Sequence, residues 1–375
     1  MGLHLPPHLA LFLCIILIFS LFWLDSRRSE PVSRAIWVPA TWFAMAASRP
    51  LDLWFSAGPA QDSSAEGSAI SRAVYLVLIL AGLLILSRRR EKFSIHELVA
   101  DNGPLFLLLG YFALAIIWSD FPFVSFKRYI KTFGMLMMIL IILTDADPAL
   151  ALRTTLRRCG FVLLSLSFML AKYFTAIGVS YDTWTGAQAV VGVASDKNML
   201  GQICLVFGMG YLWGLVSEWS KSRLPKNHRL APAIDIFMLL LAIHLLLLSH
   251  SDSSLVCMLF GSAVMLATRY ASVRKRIGMY IVIGAITFLL LNSFSELIPS
   301  IVHALGRNMT LTGRTEIWQK LLSFAKENLL LGAGYEDFWM GQVLVRLRSM
   351  GMYMNEAHNG YLEIVLNTGL AGLFL

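Results

Sequence analysis

Residues 9–24 read LALFLCIILIFSLFWL, sixteen consecutive residues without a charge. As a helix rising about 1.5 Å per residue, such a run covers most of a hydrocarbon layer about 30 Å thick. Only His4 and His8 precede it as polar groups, so the basic leader of a signal peptide is missing. Asp25, Arg27 and Arg28 follow it in place of a small-residue cleavage site. The run therefore reads as a retained membrane helix.

The pattern recurs along the chain. Further apolar runs are expected at 34–47, 70–87, 103–119, 132–144, 159–177, 198–217, 233–249, 254–270, 277–292 and 359–375. Two of them, 34–47 (which carries Pro39) and 132–144, are short for a span. The expected fold class is all-α: a polytopic integral membrane protein with about ten or eleven transmembrane helices and one large periplasmic loop. Hydrophobic residues make up 57% of the 375 and charged residues 14%, too little charge to cover a water-soluble surface of this size. Cys14, Cys159, Cys204 and Cys257 each fall in or at the end of an apolar run, as small packing residues do, and not in a disulfide framework.

The net charge of +8 does not point to nucleic acid, because the cations sit in short clusters between apolar runs. Arg88, Arg89, Arg90 and Lys92 form one cluster and Arg153, Arg157 and Arg158 a second. Lys221, Arg223, Lys226 and Arg229 form a third, and Arg269, Arg274, Lys275 and Arg276 a fourth. The span assignment puts all four on one side, read as cytoplasmic. A spanning 34–47 leaves Met1 outside and Arg27, Arg28 and Arg34 inside; a re-entrant one leaves Met1 inside, and the spanning arrangement is preferred. The outward segments are then 48–69, 120–131, 178–197 and 293–358, the last being the large loop. The last apolar run starts at Asn359 and the sequence stops within it at Leu375. That is the pattern of a truncated chain or of a helix ending at the far side, and both readings stand. There is no internal repeat of the transporter kind.

Chemistry is expected on the outward loops, which carry sites on a rigid scaffold. Thr312–Gly313–Arg314–Thr315–Glu316 reads as a helix start, with Thr312 as cap and Glu316 in the first turn. Ile317, Leu321, Phe324 and Ala325 form an apolar stripe, so the helix is expected to run to about Glu327 and to stop at Asn328, before a tight turn from Leu331 to Tyr335. Arg314 in the first turn can hold a phosphate or pyrophosphate together with free backbone N–H groups; it can equally snorkel or pair with Glu316. His358 sits where the loop re-enters the membrane, either as a general base or as an interfacial polar residue. Lys197 and Asn198 mark another boundary, where Lys197 can snorkel or pair with Asp196. His250 and Asp252 sit in a polar island between two apolar runs. Lys127 and Arg128 run against the positive-inside rule: either the span beside them is misplaced or they face an anionic ligand. No Walker loop, no strand-borne GxGxxG, no GxSxG elbow and no metal-spaced His/Cys cluster is present.

Four patches taken in order carry a family likeness: Asp196-Lys197-Asn198…Gly201; Ser251-Asp252-Ser253-Ser254; Gly313-Arg314-Thr315-Glu316-Ile317-Trp318…Leu331-Gly332-Ala333-Gly334; and His358-Asn359-Gly360-Tyr361-Leu362-Glu363…Gly369-Leu370-Ala371-Gly372. Together they resemble the O-antigen ligase/O-antigen polymerase superfamily of bacterial membrane glycosyltransferases, nearest its exopolysaccharide polymerase branch. The likeness covers roughly the second half, so 1–177 reads as N-terminal membrane helices and 178–375 as the ligase-like region with its loop 293–358. The resemblance implies an inner-membrane enzyme whose active site faces the periplasm. It implies transfer of a glycan from undecaprenyl pyrophosphate to a sugar hydroxyl, with no metal or other cofactor. The partners it implies are the lipid-linked oligosaccharide, membrane lipid and other polysaccharide export proteins.

In that frame Arg314 would neutralise the leaving pyrophosphate and His358 would serve as base or positioning group. Lys197 would be a second phosphate contact, and Asn198, Asn359 and Tyr361 would be supporting residues. The polar island has Ser253 where many relatives carry Arg or Thr; that contact is either absent here or supplied by Lys127 or Arg128. A ligase acting on lipid A core is the same chemistry on another acceptor. A transporter of lipid-linked sugar is a different class, and the scarcity of mid-span ionisable residues (Lys172, His244) weighs against it.

Overall fold

The computed structural model describes residues 5–27, 32–55, 69–92, 94–181, 186, 188–219, 230–295, 314–352 and 354–375. Arg28, Thr312, Gly313 and the cluster of Lys221, Arg223, Lys226 and Arg229 lie outside the described residues. In chain order the elements are α1 (Pro7–Ser26), a 3₁₀ turn (Arg34–Ile36), α2 (Trp37–Ala46), α3 (Leu51–Phe55), α4 (Ala69–Arg88), α5 (Ile95–Asp101), α6 (Gly103–Ala115), α7 (Pro122–Leu143) and α8 (Pro148–Tyr173). There follow α9 (Thr175–Gly178), a hairpin of β1 (Val179–Tyr181) and β2 (Gln188–Val190), α10 (Lys197–Trp219), α11 (Leu230–Ser249), α12 (Asp252–Ala267), α13 (Ala271–Lys275) and α14 (Ile277–Ser295). The last three are α15 (Arg314–Ala325), α16 (Gly341–Ser349) and α17 (Gly360–Phe374).

The all-α polytopic class holds. By length and composition, five described helices can cross a membrane: α1, α4, α8, α10 and α11. α5 and α6, bent by 95° at Asn102, make a sixth if counted as one span. The expectation of ten or eleven counted shorter runs as well. Residues 34–47 form a 3₁₀ turn and a ten-residue helix, and α12 and α17 have 16 and 15 residues. Apolar side chains face outward on the candidate spans, among them Val77 and Leu80 on α4, which are 63% and 56% exposed. Water penalises such a surface, whereas acyl chains do not.

The chain forms two compact units, Met1–Pro59 with Met138–Ile286, and Ala60–Met137 with Thr287–Leu375. They interleave along the sequence.

In the first unit α8 is the hub, packing on α1, α2, α10 and α11. Asp147 caps it, accepting the Leu150 N–H at 3.0 Å, and Pro148 takes the first helical position, where no N–H is needed. Phe161, Leu164, Leu200, Cys204, Met238 and Leu245 form its core. Gly160 leaves the space that Tyr211 fills, and the Tyr211 hydroxyl donates to the Arg157 carbonyl at 2.8 Å. Cys14, Cys159 and Cys204 are buried packing residues, and Cys257 is exposed. The cluster Arg153, Arg157 and Arg158 is not a loop but two turns of α8. These residues reach the buried Asp25 and Asp235, and that pairing is what permits burial.

In the second unit α15 and α17 pack together around Leu321, Phe324, Leu362 and Leu366, with Phe338 and Leu347 completing the cluster. The stripe expected at Leu321, Phe324 and Ala325 is buried and Ile317 half-buried. The helix passes into a 3₁₀ turn, Lys326–Asn328, at the expected end.

Candidate functional site

One place where the two motifs of the large loop meet is Ala357. On α15 the Trp318 indole Nε1 donates to the carbonyl of Ala357 at 2.9 Å. On α17 the Glu363 carboxylate accepts the Ala357 N–H through Oε1, and the Trp339 indole N–H at 2.8 Å through Oε2. Ala357 is fully buried, and both of its backbone polar groups are held by side chains. The next residue, His358, adopts φ +52°, the left-handed region that non-glycine residues seldom enter. Its imidazole Nδ1 lies 2.7 Å from Glu356 Oε1, which turns Nε2 away from that carboxylate. Asn359 then caps α17, its Oδ1 accepting the N–H groups of Tyr361 at 3.1 Å and Leu362 at 3.3 Å. Tyr361 is 77% exposed.

Arg314 is the first residue of α15; its side chain lies outside the described residues. It stands four positions before Trp318, one turn away on the same helical face. The backbone thus places Arg314 one turn from the contact that fixes the residue before His358.

The Leu331–Tyr335 turn explains the glycines of both motifs. α17 is interrupted at Gly369 (φ +67°), and the segment 329–334 runs into the interruption. Leu370 N–H donates to the Leu329 carbonyl at 2.9 Å and Ala371 N–H to Leu330 at 3.1 Å. In return Ala333 N–H donates to Leu366 at 3.0 Å and Gly334 N–H to Asn367 at 2.8 Å. The backbone groups freed by the break are satisfied within the protein, the condition for irregular backbone at membrane depth. The Tyr111 hydroxyl of α6 donates to the Thr368 carbonyl at 2.9 Å.

Lys127 and Arg128 do not lie in a loop. Pro122 opens α7, and nothing in 123–143 breaks it, so the outward segment 120–131 is mostly the first turns of a 22-residue helix. Arg128 Nη1 donates to the Glu336 carbonyl, and its Nε lies 4.0 Å from the Glu336 carboxylate. Lys127 Nζ stands over the Phe123 ring at 4.8 Å. Thr132 and the Tyr335 hydroxyl are 2.7 Å apart; burial and the Glu336 charge push that phenol up to about 12. Asp337 receives the Ser119 hydroxyl at 2.9 Å and the Asp120 N–H at 2.6 Å, and burial raises its carboxyl above the usual range. Among the described residues the non-glycine positive-φ positions are His250, Glu336 and His358, and all three fall within or beside these motifs.

The first unit carries the other two patches. Asp196, rather than pairing with Lys197, caps α10: its Oδ1 accepts the N–H groups of Asn198 at 2.8 Å and Met199 at 3.0 Å. Lys197 is half-buried and Asn198 exposed in the first turn. A side chain at Gly201 would stand 2.5 Å from Ser251 Cβ, so the patches at 196–201 and 251–254 are packed against each other. Arg49 secures the approach to them. Its guanidinium donates to the carbonyls of Gly192 at 2.7 Å, Ile177 at 2.9 Å, Ala194 at 2.9 Å and Val193 at 3.4 Å.

The sequence reading missed Glu356, Trp318, Glu363, Trp339, Asp337 and Arg49. Trp318 and Glu363 stand inside the quoted motifs, and the i, i+4 spacing from Arg314 to Trp318 was the available signal. Among the described residues no group of three or more His, Cys, Asp or Glu side chains could hold a metal ion.

Residues 237–375 match the profile of a family described as O-Antigen ligase, which takes in three of the four patches and leaves 196–201 outside. The chain is 26% identical over 288 residues to the exopolysaccharide production protein ExoQ of Rhizobium meliloti (strain 1021). That match covers 72% of this chain and 62% of the relative, less than two thirds of its length. No solved structure matches. Both matches support the resemblance drawn from the motifs, to the O-antigen ligase/polymerase superfamily of multi-pass membrane proteins.

Proposed function

From the premise that this chain resembles the O-antigen ligase/polymerase superfamily, we propose that it is an inner-membrane glycosyltransferase. It polymerises undecaprenyl-pyrophosphate-linked oligosaccharide repeat units on the periplasmic face. The observation that carries this reading is the hydrogen bond from Trp318 to Ala357, which ties the arginine-bearing helix to the histidine-bearing turn. An acceptor sugar hydroxyl attacks the anomeric carbon of the donor glycan. The new glycosidic C–O bond forms as the bond to pyrophosphate breaks, and undecaprenyl pyrophosphate leaves with the electron pair. His358 Nε2 takes the hydroxyl proton while Glu356 orients the ring through Nδ1. Arg314 stabilises the charge that builds on the leaving pyrophosphate. In the second unit Lys127 and Arg128 contribute further cationic contacts to donor phosphates, and Asn359 and Tyr361 line the sugar path; Lys197 and Asn198, on the first unit, keep the phosphate and supporting roles that the resemblance implies. Other polysaccharide export proteins take up the product, and the surrounding membrane lipid is the donor's solvent.

Polymerase is preferred over ligase because the relative named above is an exopolysaccharide production protein. Deleting the gene and sizing surface polysaccharide tests the choice: single repeat units mark a lost polymerase, and unattached long polymer marks a lost ligase. In complementation, Arg314→Ala at a normal protein level should abolish polymer, a loss of about 100-fold or more in rate. His358→Ala should slow transfer by about 100- to 10,000-fold. Normal polymer from either variant removes that residue from the mechanism.

A further inference from the structure

We propose that Glu363 is a positioning residue for His358, acting through the peptide that precedes it. The inference rests on the reading of His358 given above. A left-handed backbone at a non-glycine residue persists only where its surroundings hold it. Here the hold is visible: Glu363 Oε1 accepts the Ala357 N–H, Trp318 Nε1 donates to the Ala357 carbonyl, and the buried Ala357 methyl sits in the core. Glu363 is itself fixed from two more directions, by the Trp339 indole at 2.8 Å and by Asn367 Nδ2, which is 2.9 Å from the Glu363 carbonyl and 3.4 Å from its carboxylate.

The direction of chain exit follows. With Ala357 clamped on one side and Asn359 capping α17 on the other, His358 is the single residue between two fixed points. Its side chain is half-exposed, so its partner Glu356 meets the imidazole from a backbone already aimed. Releasing the Ala357 amide frees the turn to relax toward a right-handed conformation, which swings the imidazole off its line of attack. The carboxylate suits this work better than an amide, because its two oxygens serve two N–H donors at once, Ala357 and Trp339. A glutamine would have to turn its NH₂ toward one of them.

The test is a double-mutant cycle on the full-length protein in proteoliposomes. Its substrate is the lipid-linked glycan that accumulates in the deletion strain. Glu363→Ala should lower kcat on the order of 100-fold with KM unchanged, at equal amounts of folded protein. In the His358→Ala background the same change should cost nothing further, because the group being positioned is gone. Losses that multiply across the two backgrounds would overturn the proposal, as would full kcat in Glu363→Ala. If His358→Ala alone retains the full rate, the reading of His358 fails and the proposal falls with it, an outcome distinct from multiplying losses. Should Glu363→Ala not accumulate, Glu363→Gln and Trp318→Phe repeat the cycle. Trp318→Phe keeps an aromatic ring and removes the N–H donor to Ala357, at the cost of the second ring of the indole. Both are expected to lower kcat several-fold, and again without effect when His358 is absent.

Discussion

Arg157 lies between two buried carboxylates, its Nε 3.0 Å from Asp235 Oδ1 and its Nη1 3.5 Å from Asp25 Oδ1. Arg158 binds Asp25 at 3.0 Å and Arg153 binds Asp235 at 3.6 Å, so three guanidinium groups of α8 join α1 to α11. Both aspartates are 1% exposed. Removing the bridging Arg157 leaves each desolvated carboxylate one guanidinium in place of two and breaks the link between α1 and α11, at a cost of up to about 3–5 kcal/mol. Arg157→Ala should therefore sharply lower the thermal unfolding temperature of the detergent-purified protein. Adding Asp25→Asn and Asp235→Asn should deepen the loss, because Arg153 and Arg158 then lose the carboxylates that pair with them. An Arg157→Ala protein that melts with the parent would mean that the network does not join these helices.

That network also shows where sequence reading stops. Arg153, Arg157 and Arg158 look like a cytoplasmic loop because their counter-charges stand more than a hundred residues before and some eighty after, and nothing local announces the pairing. Lys127 and Arg128 were legible as anomalies, and the helical answer to them follows from Pro122 and the absence of a breaker after it. By contrast the limits of α15 were legible to within a residue or two, since first-turn acid and apolar spacing are both local. The family patches gave Arg314 and His358. Only coordinates reveal that Trp318 and Glu363 grip the same peptide from two helices, because a hydrogen bond to a backbone group leaves no mark on the identity of the residue that owns it.

Gly369 is where the segment 329–334 enters α17. A Cβ there would stand 2.2 Å from the Leu330 carbonyl oxygen, and the backbone has φ +67°. The strain of a non-glycine residue in a sparsely populated region costs about 1–3 kcal/mol before any overlap. Gly369→Ala should thus leave little folded protein in the membrane, as judged by accumulation and by protease resistance. Gly360→Ala is the control: its Cβ would meet nothing within 4 Å, and accumulation should match the parent. Equal yields from the two variants would show that the interruption of α17 is not a requirement of the fold.

Arg49 donates to four carbonyls between Ile177 and Ala194. Lysine has three N–H donors on one point charge and cannot match a planar fork spread over four acceptors. Hydrogen bonds to a charged group contribute about 1.5–3 kcal/mol, so Arg49→Lys should recover only part of what Arg49→Ala loses. The loss should concentrate in the segment leading to Asp196 and Lys197. Hydrogen exchange in detergent would register it as faster exchange at the Val191, Gly192 and Ala194 amides, with α8 and α10 unchanged. Uniform acceleration across the first unit would point to global destabilisation instead.

Asp337 supplies a pH dependence of definite sign. Burial raises its carboxyl above the ordinary value, even though Ser119 and the Asp120 N–H stabilise the charged form. A group whose folded pKa exceeds its unfolded pKa binds its proton more tightly when folded. Its contribution to stability is full below the unfolded value and is lost as pH rises through the raised folded value. The parent's unfolding temperature should therefore decline across the pH range just above that of an ordinary carboxyl. Asp337→Asn keeps an acceptor for the Asp120 N–H and cannot ionise, so the decline should flatten, with the variant gaining on the parent as pH rises toward neutrality. Asp337→Leu should lose about 1–3 kcal/mol at every pH, because the Ser119 hydroxyl and the Asp120 N–H lose their acceptor. Thermal unfolding of the three proteins at a series of pH values reads all of this at once. Parallel curves for parent and Asp337→Asn would show that Asp337 does not titrate in that range and that the source of the pH dependence is elsewhere.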